Sequence, residues 1–321
     1  MLDYDQTYFG CGNKVPADKL RTLLEEPDYS FLLPDNEISE SKGDYIYSTI
    51  DTVFPFIDSV DTYARATVLH CANDLIASGI TPNQASVSIG ISENLDETET
   101  KLLFSSINLG LEELGIVSCN YHTYRADQTS ITIAVNGSSN KIRVNPKFTQ
   151  SYDIFLTKPV GVWSTKSSNR RGKISNAHDV LLQSNYPWIE FVQSNFVKYS
   201  TDLSGFGLIG HLLPILEEQR YQASISLSSL LGALGELEEC QEHHMGCSAK
   251  SNFKSFSPYV EFGNDLDNVT LDVLFGGEIN GPILMVVDIE SLQGVDTSSL
   301  IHIGEISPIQ SNKDKVIELR D

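Results

Sequence analysis

No stretch of this chain approaches the roughly 18 consecutive apolar residues of a membrane-spanning helix. Its first residues, Met1-Leu2-Asp3-Tyr4-Asp5, are acidic where a secretory leader is basic, so neither membrane insertion nor export is expected. Basic residues are scarce. Lys and Arg number 22 against 43 Asp and Glu, a net charge of −21. Such a surface repels the phosphates of nucleic acid and of anionic lipid, which argues against both as partners. It also repels any phosphorylated ligand, so binding one requires metal ions and locally placed cations. Cysteine is sparse as well. Five thiols, an odd number, give no disulfide framework and suit a reducing, cytoplasmic compartment.

Apolar residues make up 40% of the 321 positions, in short alternating or helical runs that suffice for two cores. Periodicity predicts strands over 45–50, 84–91, 116–124 and 130–135. It predicts helices over 61–78, capped by Asp61, and 97–114, stopped by Gly79 and Gly115 respectively. Gly137-Ser138-Ser139-Asn140 reads as a hairpin-like turn, and the passage to about Thr149 as an inter-domain connection. Strands over 153–156, 222–227, 283–288 and 300–306, with helices over 208–216 and 230–238, build the second half. The expected organisation is an arm over 1–14 and domains over 15–148 and 149–321.

Three stretches carry chemistry. In Thr201-Asp202-Leu203-Ser204-Gly205-Phe206-Gly207-Leu208-Ile209-Gly210-His211, a β-prone run reaches an acid and glycines turn the chain into a helix. Glycines at such a corner admit a ligand close to the backbone, and the helix N-terminus favours an anion. Asp202 is placed to hold a metal that a phosphate also touches, or else to cap the helix. In Cys71-Ala72-Asn73-Asp74, Asp74 falls on a broad apolar helix surface, where a carboxylate must meet a cation, a metal or several donors. In Gly10-Cys11-Gly12-Asn13-Lys14, Cys11 lies between glycines with Lys14 near enough to favour its thiolate. The alternative is an incidental cysteine in a mobile tail.

Other positions keep two readings each. Asp35 alone is a turn former. Asp51 stands at a strand end, where ligands meet sheets. His122 is a structural histidine or a ligand contact. Lys158 is a phosphate ligand or a surface cation, and Asn169-Arg170-Arg171-Gly172-Lys173 is a solvated basic loop. Cys240, His243, His244 and Cys247 have the atom types for tetrahedral zinc, but they crowd into one short run, which favours a plain loop.

Taken together, the motifs resemble the selenophosphate synthetases (selenide, water dikinases) of the aminoimidazole-ribonucleotide-synthetase-like superfamily. The Thr201–His211 stretch is similar to that family's signature. Gly10-Cys11-Gly12-Asn13-Lys14-Val15-Pro16 is similar to its catalytic segment, with Asn13 in place of a second cysteine. Cys71–Leu75 with Ala77–Pro82 resembles an acidic nucleotide segment, with His70 where an Asn is usual. His122 matches a histidine near ATP, with Asn120 and Tyr121 replacing a glycine pair. Thr157-Lys158-Pro159-Val160-Gly161 is similar to another family segment, while Gly276-Gly277-Glu278-Ile279-Asn280-Gly281 keeps only the glycines of its counterpart.

The resemblance implies an α+β fold of two domains, each a mixed or antiparallel sheet with helices packed on one face. It implies a homodimer formed through the N-terminal-domain sheets, with ATP near the subunit boundary. It implies synthesis of selenophosphate from selenide, water and ATP, with release of AMP and orthophosphate. Cys11 and Lys14 would be catalytic. Lys14, Asp51, Asp74, Asn120 and His122 would contact the nucleotide, and Asp35, Asp51, Asp74 and Asp202 would hold Mg²⁺. The departures at Asn120-Tyr121 and around Gly276 leave two rivals: a sibling ATP-dependent phosphotransferase for another acceptor, and a non-catalytic nucleotide-binding paralogue.

Overall fold

The computed structural model describes residues 36–162, 177–235, 245–263, 266–292, 294–309 and 315–321. Cys11, Lys14, Asp35, the basic run 169–173, Cys240, His243 and His244 lie outside the described residues. The described chain forms two compact units: 36–144 with 181–194, and 145–162 with 177–180 and 195–321. Both are α+β.

The first unit is built on a five-stranded sheet. Its strands are β1 (Glu37–Ser41), β2 (Asp44–Val53), β3 (Pro82–Ser92), β4 (Cys119–Ala126) and β5 (Ser130–Ser139), in the order β1-β2-β5-β3-β4. All neighbours are antiparallel except β3 and β4, which run parallel. Alternation divides the faces. Tyr47, Val53, Val87, Ile89, Ile131, Ile133 and Val135 are buried on one side. Two helices cover that side: α1 (Val60–Ala77), packed on β2 and β5, and α2 (Glu97–Glu113), packed on α1. The opposite face carries Ser48, Ile50, Thr52, Ser86, Asn120 and His122, and Ile50 there is 67% exposed.

Two local details differ from the sequence expectation. Ser59, not Asp61, is the N-cap of α1, its Oγ accepting from Thr62 N at 3.4 Å. Asp61 instead lies inside the first turn, where its charge favours the helix dipole. Gly137–Ser139 continue β5 rather than turning, paired with Tyr45, Ile46 and Tyr47. A side chain at Gly137 would collide with the Thr81 carbonyl, its Cβ 2.6 Å from that oxygen, so the glycine serves close packing of backbones.

The second unit is a seven-stranded mixed sheet in the order β7-β10-β6-β11-β8-β12-β9. These strands are β6 (Tyr152–Leu156), β7 (Val197–Asp202), β8 (Tyr221–Ser226), β9 (Val260–Glu261), β10 (Ile283–Val287), β11 (Ile301–Pro308) and β12 (Ile317–Arg320). Helices α3 (Gly207–Gln219), α4 (Leu227–Ala233), α5 (Cys247–Phe256) and α6 (Asn268–Phe275) belong to the same unit. Every residue of β10 is buried, which explains its unbroken Ile-Leu-Met-Val-Val. Leu208, Leu212, Phe275, Leu284 and Ile306 lie in one continuous core. The helix expected at 230–238 begins earlier, at Leu227, because Ser226 caps it by accepting from Ser229 N at 3.1 Å. β12 escapes the sequence reading, being only four residues long.

Candidate functional site

In the first unit, β2 and α1 bring two acids onto one seam. Asp51 is on the helix-covered face of β2 by alternation with Tyr47 and Thr49, and its carbonyl lies 4.0 Å from Cys71 Sγ. Asp74, one turn further along α1, is half-buried, and Thr49 Oγ1 donates to its Oδ2 at 2.5 Å. The bond ties the carboxylate to β2. Asn36 joins the same turn, its Nδ2 donating to Asp74 O at 3.1 Å and to Ser78 Oγ at 2.7 Å. Its Oδ1 is enclosed and takes no hydrogen bond from the described residues. Asp51 and Asp74 thus supply carboxylates from neighbouring elements, the ligand type that a hard divalent cation takes.

Among the described residues no three His, Cys, Asp or Glu side chains gather into a metal cluster. Magnesium needs only one or two carboxylates beside a substrate's phosphates. His70 and Asn73 of α1 are buried, and Asn185 Nδ2 donates to Asn73 Oδ1 at 3.1 Å. That bond fastens the 181–194 segment to the acidic helix, a link no local pattern announces.

Asn120 and His122 lie on β4, the outer strand of the sheet, and both are exposed. Ser86 Oγ donates to Asn120 Oδ1 at 2.6 Å, and the His122 ring stacks on Tyr124 at 6.2 Å. His122 is therefore not a buried structural histidine. Tyr121 points away from them, donating to Asn108 Oδ1 at 2.5 Å. Desolvation, followed by the nearby Cys119 thiol, pushes its phenol up to about 12, so it stays a neutral donor through the physiological range.

In the second unit, Asp202 is the last residue of β7, paired in register with Ile283, and is 1% exposed. It is not the cap of α3. That helix starts at Gly207 after Phe206, with no side-chain cap. Gly207 holds φ +68°, and a Cβ there would sit 2.8 Å from Gly276 O. Ser204 N donates to His211 Nε2 at 3.2 Å, which makes that nitrogen the acceptor and places the ring proton on Nδ1. Asn252 Nδ2 donates to Gly205 O at 3.0 Å and to Phe275 O at 2.8 Å. The corner is thus held by its own helix, by α5 and by the end of α6.

Lys158 is 2% exposed, with Nζ 3.4 Å from Val180 O, so it is no surface cation. Cys247 begins α5 and is an exposed free thiol.

Residues 35–139 match the family model described as AIR synthase related protein, N-terminal domain. With the two α+β units, the described chain has an AIR-synthase-like fold. Among curated relatives, the selenide, water dikinase of Pasteurella multocida (strain Pm70) is 24% identical, covering 92% of this chain and 91% of its own. Among solved structures, AaThiL complexed with AMPPCP and TMP superposes with TM-score 0.62 at 14% identity, over 94% of this chain and 91% of that one. The HypE-HypF complex gives TM-score 0.57 at 14% identity, over 94% and 96%. Among the described residues no helix is long and apolar enough to cross a membrane.

Proposed function

We propose that this protein makes selenophosphate: ATP, selenide and water give selenophosphate, AMP and orthophosphate. One observation carries the reading. Relatives described as selenide, water dikinase align with this chain over nearly its full length and theirs, so the resemblance extends well beyond a shared nucleotide domain. Asp35, Asp51 and Asp74 in the N-terminal part, and Asp202 in the C-terminal part, are the proposed Mg²⁺ ligands. Bound Mg²⁺ neutralises triphosphate charge, which a protein of net charge −21 otherwise repels.

The chain's own groups do the rest. Lys14 supplies a cation to the phosphates, and Cys11 receives the selenium donor as a thiolate. Asn120 and His122 contact the nucleotide. Thr49 keeps Asp74 turned toward its ligand. Water takes the second phosphoryl group and leaves AMP. The open face of the five-stranded sheet, which carries Ile50, pairs two copies into a homodimer, in keeping with its partly apolar, largely uncharged surface. The protein works in the cytoplasm.

A sibling phosphotransferase is the second reading, favoured by Asn120 and Tyr121 where the resembling family has a glycine pair. Chromatography of the nucleotide product separates the two. Selenide-dependent AMP supports the selenophosphate reading, whereas ADP accumulating with a phosphorylated acceptor supports the sibling.

A further inference from the structure

Three loops of the second unit converge around Asp202, and one side chain joins them. We propose that Glu278 is a positioning residue that sets the Lys158 turn against the Asp202 corner. It is 4% exposed, and its Oε1 accepts from Gly161 N at 2.8 Å. Its own backbone N donates to Ser204 O at 2.9 Å. A single residue therefore reaches one turn through its side chain and the other through its main chain.

The surroundings make that reach rigid. Thr157 and Ile283 exchange two bonds, Thr157 N to Ile283 O at 3.2 Å and Ile283 N to Thr157 Oγ1 at 2.9 Å. Lys158 is thus bracketed, at Thr157 and at Gly161, by anchors that both come from the 278–283 segment. On the other side, Leu203 N donates to Pro282 O at 2.9 Å. A Cβ at Gly281 would overlap the Leu203 carbonyl, and one at Gly277 would come 3.0 Å from Gly205 O. Gly161 holds φ +88°, and a Cβ there would lie 3.2 Å from Val273 Cα, so the turn packs closely on α6. The glycines bring the backbones together, and the Glu278 carboxylate fixes how the Lys158 turn faces the acid.

The functional consequence rests on the ATP reading of Asp202, and the test keeps the two apart. Glu278→Ala and Glu278→Gln are made in the full chain. Hydrogen exchange without nucleotide reads the positioning directly. Alanine should speed exchange at Gly161 and across 203–207 by about tenfold or more, the effect of losing one buried acceptor, while glutamine, which keeps an acceptor oxygen, should match wild type. In ATP turnover, alanine should lower kcat by about a hundredfold, as displacement of a reacting group by about 1 Å does, with KM changed by less than about threefold. Glutamine should restore most of it. Unchanged exchange in the alanine variant, or loosened exchange in the glutamine variant, overturns the proposal. Faster exchange with unchanged kcat also overturns it, leaving a merely structural contact. A wild type that turns over no ATP defeats the functional reading alone, and the exchange result then decides the positioning. If alanine does not fold, the glutamine variant decides by the same criteria.

Discussion

Thr49 Oγ1 donates to Asp74 Oδ2 at 2.5 Å, joining β2 to α1 between residues 25 apart in sequence. The bond helps to orient the Asp74 carboxylate. Thr49→Val keeps shape and removes the donor. We expect it to lower ATP turnover about tenfold, the cost of roughly 1.5 kcal/mol for a hydrogen bond to a charged group. Asp74→Asn should abolish turnover with an unchanged circular dichroism spectrum. Near-normal turnover in Asp74→Asn would remove it from the metal site.

Gly207 offers a stability prediction independent of function. Its φ of +68° and the 2.8 Å approach to Gly276 O leave no space for a methyl group. Gly207→Ala should destabilise the protein by about 1–3 kcal/mol in urea titration, the range for a strained backbone residue. No change in the midpoint would mean that the corner relaxes at no cost.

Arg143 is held uncomfortably. Both terminal guanidinium nitrogens are enclosed without a hydrogen-bond partner among the described residues, and burial pushes its pKa down to about 10. Above about 10 the unfolded chain still holds the proton that the folded chain has released, so this group's contribution to stability rises with pH there. At neutral pH the whole penalty is present. Arg143→Met should therefore raise the unfolding temperature by roughly 2–4 °C, the shift that about 1 kcal/mol gives in a chain of this size class. A lower unfolding temperature would show that the guanidinium makes a stabilising contact.

The open sheet face predicts association. Sedimentation equilibrium of the wild type at micromolar concentration should give a dimer, and Ile50→Glu should give a monomer, because Ile50 stands 67% exposed on that face. A wild-type monomer would contradict the homodimer.

Much of the architecture is legible because periodicity survives in the sequence. The α2 helix shows its capping box, Asp96 with Glu99, and its Gly115 stop, and β10 shows its unbroken apolar run. Gly137 misleads, since a glycine needed for close backbone contact looks like a glycine needed for a turn. Asp202 and Asp74 are legible as acids in unusual settings. Their partners are not. Thr49 is one of many threonines until β2 meets α1, and Thr157, next to the buried Lys158, is held by Ile283, 126 positions away. Glu278 carries no local signal at all. Its role exists only once the 157–161 turn and the Ser204 carbonyl have met on either side of it.

The central claim is tested most directly by the phosphorus product. The protein is incubated anaerobically with ATP, Mg²⁺ and selenide and followed by ³¹P NMR, beside a Cys11→Ser variant. The wild type should form a species with a selenium–phosphorus coupling in step with AMP and orthophosphate, and the variant should form none. ATP consumed without any selenium–phosphorus signal, or ATP bound and never turned over, would contradict that claim.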